Sequence, residues 1–225
     1  MTRIQRLAIA VVRGLLRLLC RIDDAQLARV PAQGPLIIAV NHVNILEIPI
    51  LFTHLQPRPV TGFVAAVRWD NPVTRWLLTL TRALPLRRGE ADLAALRRGV
   101  ASLKAGQLLV IAPEGTRSGH GSLQKAHPGL VLLALHSGAP VLPLVYYGHE
   151  PYKQRWVRLR RTDFHIVVGE PFYLDAGGVK VTRRVRRQMV DEVMAQMAAL
   201  LPPAYRGVYA DLEAATETYL AFGSQ

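Results

Sequence analysis

Ala91–Ala112 reads ADLAALRRGVASLKAGQLLVIA, and its two halves obey different periods. Leu93, Leu96, Val100 and Leu103 recur at helical spacing up to Lys104, and Gly106 stops the helix. Gln107–Ala112 (QLLVIA) is then apolar without alternation, as a strand covered on both faces must be. The same alternation of element types extends on either side. Pro35–Val40 (PLIIAV) follows Gly34 and predicts a buried strand ending at Asn41-His42. Ala126–His149 holds no Asp, Glu, Lys or Arg, but Pro128, Pro140, Pro143, Gly129, Gly138 and Gly148 divide it. The division predicts a helix over 129–137 and a strand over 140–146, core rather than a membrane span. Phe164–Val168 predicts a later strand, and Val60–Val67 and Leu84–Leu86 are weaker candidates. Val181–Leu201 predicts a helix with Val190, Val193, Met194, Met197, Leu200 and Leu201 on one side. These elements argue an α/β fold: a mostly parallel or mixed sheet with helices on both faces. After Pro202-Pro203 the tail loses the basic bias and is expected to be a docked terminal helix.

A chain of 225 residues suggests one domain, or one domain with a short appendage. Half of it is hydrophobic and a fifth is charged, which supports a substantial core and excludes disorder. The net charge of +12 predicts an anionic partner. Lys104, Lys125, Lys153 and Lys180 are the only lysines, so the surplus is arginine, which suits bidentate phosphate recognition. No nucleic-acid recognition motif is present, and nucleic acid is not an expected partner. A single cysteine, Cys20, excludes an intrachain disulfide and multi-cysteine metal sites, and points to a reducing, cytosol-facing location.

Residues 4–22 read IQRLAIAVVRGLLRLLCRI. Arg13 and Arg17 interrupt the apolar run, against a secretory signal or a spanning helix. Arg3, Arg6, Arg13, Arg17 and Arg21 fall on one helical face, with Leu7, Ile9, Val11, Leu15, Leu18 and Leu19 on the remainder. That pattern describes an amphipathic helix in the headgroup plane of an anionic leaflet. The other reading is a helix packed on its own domain with its arginines in solvent. Residues 1–28 are expected to form this membrane-docking unit and residues 29–225 the α/β domain.

Among seven histidines, His42 stands out because it follows a buried strand, where α/β sheets place their ligand sites. Glu47 lies five residues on. In one continuous helix five positions turn about 500°, leaving the two side chains about 140° apart. They can meet only with His42 on the loop and Glu47 in the first turn of a helix, where Pro49 is tolerated. A histidine oriented by a carboxylate is half of a general-base arrangement. No Gly-x-Ser-x-Gly elbow supplies a nucleophile, so the base is expected to act on a substrate hydroxyl. Pro113-Glu114-Gly115-Thr116-Arg117-Ser118 follows the strand QLLVIA and offers a flexible glycine, hydroxyls and a phosphate-gripping Arg117. Leu84–Glu90 (LPLRRGE) ends a strand with Arg87 and Arg88. Pro143, inside an apolar strand, marks an edge, a bulge or an acyl-chain slot.

Taken in this order, Asn41–Glu47, Leu84–Arg88, Ala112–Ser118 and Val141–Pro143 resemble the four blocks of the glycerolipid acyltransferases, the family that includes 1-acylglycerol-3-phosphate acyltransferases. Those blocks are Asn-His-x4-Asp, a hydrophobic strand ending in Arg, Phe-Pro-Glu-Gly-Thr-Arg-Ser, and a hydrophobic Val/Ile-Pro strand. The resemblance runs from about residue 30 to Pro171. It implies His42 as catalytic base, Glu47 as its acid partner, and Arg88, with Arg87 as alternative, as phosphate ligand. It also implies Glu114, Gly115, Thr116 and Arg117 as the glycerol-phosphate block. Glu47 replaces the usual Asp and Ala112 the usual Phe, departures that bear on acceptor choice. The implied reaction moves a fatty acyl group from acyl-CoA or acyl carrier protein to a lyso-lipid hydroxyl, with no bound cofactor and no metal. Lysophosphatidic acid is the first expected acceptor; another lysophospholipid or an amino-acid lipid is the alternative, as is a lipid-binding relative without activity. The implied location is the cytoplasmic face of an anionic membrane, peripheral or monotopic.

Overall fold

In a computed structural model that describes residues 3–87 and 92–223, nine strands form one mixed sheet. Helix α1 (Arg3–Leu19) leads into β1 (Cys20–Asp23), followed by β2 (Leu36–Val40), α2 (Glu47–His54), β3 (Val60–Ala65), α3 (Pro72–Leu80) and β4 (Leu84–Leu86). Then come α4 (Leu93–Lys104), β5 (Leu108–Ile111), α5 (Gly129–Ser137), β6 (Val141–Tyr147), α6 (Tyr152–Val157) and β7 (Thr162–Val168). The chain finishes with β8 (Phe172–Leu174), α7 (Arg183–Leu200) and β9 (Leu220–Phe222). The strand order is β1-β7-β6-β2-β5-β3-β4, with β8 paired to β6 and β9 to β8. Pairings of β2 with β5 and β6, β3 with β4 and β5, and β1 with β7 are parallel; those of β6 with β7 and β8, and of β8 with β9, are antiparallel.

The two-residue period of β2 sorts the core. Leu36, Ile38 and Val40 join Leu16 of α1 and Ile50 and Leu51 of α2 on one face. Ile37 and Ala39 join α4, α5 and α7 on the other, through Leu103, Leu130, Val131, Val190, Val193 and Met197. Both faces are covered, and this is why the central strands are apolar at every position.

Pro143 sits in the middle of the sheet, opposite a bulge. It pairs with Ala39 of β2, while on its other side β6 changes partner from β8 to β7. Gly169, between those two strands, donates its N–H to the Pro143 carbonyl at 2.9 Å. A Cβ on Gly169 would lie 2.7 Å from Pro143 Cγ, so this crossing needs glycine.

Two expectations are corrected. The N-terminal helix ends at Leu19, and Cys20, expected inside it, is fully buried as the first residue of β1. The tail is not a helix. Short 3-10 turns at Pro203–Tyr205 and Gly207–Tyr209 lead to β9, because Glu192 of α7 captures Thr216 Oγ1, Thr218 N and Tyr219 N. As for α1, it packs on α2 through Leu16, with Arg13 donating to the Thr53 carbonyl, while Leu7, Val11, Leu15 and Leu18 stay exposed.

Candidate active site

Parallel pairing of β2 with both β5 and β6 brings three strand carboxyl ends together. The three segments leaving those ends carry His42, Glu114–Arg117 and His149. Asn41 locks β2 to β6: its Nδ2 donates to the Tyr146 carbonyl at 2.9 Å and its Oδ1 accepts the Tyr146 N–H at 2.8 Å.

His42 lies in the loop after β2 and Glu47 opens α2, the arrangement their spacing requires. His42 Nδ1 is 2.8 Å from Glu47 Oε2. The other carboxylate oxygen, Oε1, accepts the N–H groups of Val43 at 3.1 Å and Asn44 at 2.6 Å, and His149 Nε2 lies 2.8 Å from it. Glu47 is 2% exposed. Burial pushes its carboxyl up, but the hydrogen bonds and electrostatic pull of His149 and His42 prevail and hold it below its ordinary 4.5. The carboxylate is therefore ionised and acceptor-only at neutral pH, so His42 Nδ1 carries a proton, and in the neutral imidazole the lone pair is on Nε2. The Arg117 Nε–H points at that Nε2 from 3.4 Å, a long and weak contact.

Glu114 is buried, and its carboxylate accepts the backbone N–H of His42 at 3.0 Å and of Gln124 at 2.8 Å. Burial pushes this carboxyl up, against those two hydrogen bonds. Ser118 N and Gly119 N return hydrogen bonds to the carbonyls of His42 and Val43, at 2.8 and 3.1 Å. The loops after β2 and β5 are thus stitched together at the backbone. Gly115 adopts φ +69, and a Cβ there would lie 3.1 Å from His127 Cδ2. Thr116 and Arg117 are exposed, and Arg117 lies beside His42. Arg88 lies outside the described residues; Arg87 is exposed, its N–H bonded to Asp92 Oδ2 at 3.0 Å. Among the described residues no cluster of His, Cys, Asp and Glu could hold a metal ion.

The structure therefore gathers His42, Glu47, Glu114, Gly115, Thr116 and Arg117 at the carboxyl ends of central strands β2 and β5. It adds Asn41, Asn44, Gln124 and His149, which the spacing argument did not single out. His149 had no local signal, lying 102 residues from its partner Glu47.

A family model described as Acyltransferase matches residues 21–147, more than half of the chain. The chain belongs to the acyltransferase family. Within it, the chain is 27% identical over 135 residues to a 1-acyl-sn-glycerol-3-phosphate acyltransferase of Pseudomonas aeruginosa, covering 58% of this chain and 52% of that protein. It is 32% identical over 111 residues to a lyso-ornithine lipid O-acyltransferase of the same organism, covering 49% and 42%. The chain thus spans about half or less of the length of these curated relatives. The crystal structure of the 1-acyl-sn-glycerophosphate acyltransferase PlsC of Thermotoga maritima superposes with a TM-score of 0.62 at 21% identity, over 87% of this chain and 79% of that one. This chain and PlsC accordingly share a fold. The family match takes in His42, Glu47 and Glu114–Arg117 and stops two residues short of His149.

Proposed function

We propose that this protein transfers a fatty acyl group from a thioester, acyl-CoA or acyl-acyl carrier protein, to the hydroxyl of a lyso-glycerolipid. The first acceptor proposed is 1-acyl-sn-glycerol-3-phosphate, giving phosphatidic acid. The carrying observation is the His42 imidazole, held by Glu47 at 2.8 Å, with Nε2 turned toward Arg117 and, among the described residues, without a strong partner. An acceptor hydroxyl replaces the weak Arg117 contact. His42 Nε2 takes its proton as the oxygen attacks the thioester carbonyl. The tetrahedral adduct then expels the thiolate, which recovers that proton from the imidazolium, leaving an ester and a free thiol. Arg117, freed from His42, grips the acceptor's phosphate with Thr116, while Gly115 lets the backbone approach. Glu114 contributes differently from a phosphate ligand: as a buried carboxylate it repels phosphate and instead holds the His42 backbone. Arg88, which lies outside the described residues, is proposed as a second phosphate ligand.

Helix α1 would meet the membrane, while residues 20–28, expected with it, join the α/β domain through β1 and carry the chemistry with the rest of the chain, at the cytoplasmic face as a peripheral or monotopic enzyme. Supporting this, α1 offers solvent Leu7, Val11, Leu15 and Leu18 on one side, with Arg3, Arg6 and Arg17 exposed along its edge. Leu159, 96% exposed, and Val157 project among Arg158, Arg160 and Arg161, and Arg161 donates to the Arg17 and Cys20 carbonyls at the end of α1. Ile45 and Ile48 are also exposed, on either side of Glu47. No described helix is long and apolar enough to cross a membrane.

The similarity to a lyso-ornithine lipid O-acyltransferase favours an amino-acid lipid as the second reading. Paired acceptors with and without a phosphate monoester separate the two. With lysophosphatidic acid as acceptor, Arg117→Ala should raise KM and lower kcat together. Equal use of an acceptor lacking phosphate, with no effect of Arg117→Ala, would overturn the phosphate reading.

A further inference from the structure

We infer that His149 is a positioning residue of this site, a second imidazole that donates to Glu47 and sets the pH range in which His42 acts as a base. The inference rests on the acyl-transfer reading above and adds a control to it. His149 is 0% exposed, and its Nε2 lies 2.8 Å from Glu47 Oε1, on the opposite carboxylate oxygen from His42. Its Nδ1 is buried without a hydrogen-bond partner among the described residues. An orphaned acceptor is tolerated better than an orphaned buried N–H, so the proton sits on Nε2 and is given to Glu47.

The contact is built rather than incidental. Gly148, at φ +90, turns the chain back at the end of β6; a Cβ there would lie 3.1 Å from His165 Cδ2. Asn44 Nδ2 holds the His149 carbonyl at 3.1 Å, and Asn44 Oδ1 accepts the Leu46 N–H at 2.9 Å beside the start of α2. The ring packs 4.2 Å from Phe164 and edge-on to Tyr146 at 6.3 Å. Three donors thus converge on Oε1, leaving Oε2 for His42 alone. The glutamate side chain reaches far enough for one carboxylate to meet both imidazoles.

The consequence has a definite sign. His149 stabilises the carboxylate anion, so the His42–Glu47 pair holds a shared proton less tightly. Taking that donor away makes the pair bind a proton at higher pH, whichever partner carries it. Among the described residues, the other titratable or charged groups facing the trio are Tyr146, Glu114 and Arg117, and all remain in the variants. Tyr146 stays neutral, because burial and then the charge of Glu47 push its phenol well above the ordinary value.

The test compares His149→Phe, which fills the apolar pocket without a donor, with His149→Gln, which keeps an N–H for Oε1. The acid limb of kcat/KM for acyl transfer should move up by about one pH unit in His149→Phe and stay near the wild-type position in His149→Gln. A space-filling role predicts the reverse ranking, since Phe suits the pocket better than Gln. Histidine-ring NMR titration, with His42→Ala to assign the signals, reads the same pair without turnover. A pair that titrates at the same pH in wild type and His149→Phe overturns the inference, and loss of both variants' limb positions alike does so too. Wild-type protein that transfers no acyl group would defeat the acyl-transfer reading, yet the NMR midpoints would still decide the role of His149.

Discussion

Glu47→Gln is isosteric, and its effect follows from the donors around the carboxylate. Oε1 accepts from Val43 N, Asn44 N and His149 Nε2, so the amide oxygen of Gln must take that place. The amide NH₂ then faces His42 Nδ1, which lies 2.8 Å from Oε2 in the wild type. Two N–H groups cannot share that contact, so the His42 proton moves to Nε2. The base loses the lone pair it needs, and kcat/KM should fall by about 10²–10⁴. Hydrogen bonds to an ion contribute about 1 kcal/mol more than neutral ones. Three survive in weakened form, one inverts, and relief of carboxylate burial offsets part of the loss, leaving about 2 kcal/mol of destabilisation. In a chain of this size that is a Tm drop of roughly 4–8 °C. The folded carboxyl is held below its ordinary 4.5, so the wild type's advantage is complete above that pH and lost as pH falls further, through the folded value. Acyl-CoA turnover at neutral pH and thermal melts from pH 7 to 3 measure both effects. Turnover within about threefold of wild type, in a variant with the expected Tm, would refute the tautomer argument.

Glu47→Asp, about 1.5 Å shorter by one C–C bond, cannot span both imidazoles. Activity should fall rather than rise, and adding His149→Phe should then cost little more; additive losses in the double-mutant cycle would contradict the shared carboxylate. Cys20 is buried in β1 and its thiol is pushed up to about 11 by desolvation, against the charge of Arg161. Iodoacetamide at pH 8 should leave it unmodified until denaturant is added, and rapid labelling of the folded protein would place β1 wrongly. Binding to anionic vesicles should weaken with salt, and with Leu7→Glu plus Leu18→Glu, at unchanged Tm; salt-insensitive binding would count against α1 as the membrane contact.

The elements legible in the sequence were those whose local pattern and tertiary role agree. PLIIAV, QLLVIA and the apolar half of Ala126–His149 are continuous because both sheet faces are covered, and each appears within a residue or so of its expected ends. The 129–137 helix coincides with its glycine-marked limits. His42 and Glu47 were readable because the helical period allows their contact in only one arrangement. Cys20–Asp23 (CRID) was not, since a short polar edge strand behind an amphipathic helix continues the helical pattern. The tail carries helix-forming residues, and only the buried Glu192 on a distant helix dictates its extended path. His149 reaches Glu47 through strand pairing alone, which no local spacing records.

The central claim is that His42 activates an acceptor hydroxyl against a thioester. Its most direct test is thiol release from a long-chain acyl-CoA by the purified protein, with and without lysophosphatidic acid, beside His42→Ala. The account predicts release that requires both the acceptor and His42. Release that His42→Ala leaves intact, or its absence with every lyso-lipid and with acyl-acyl carrier protein, would contradict it.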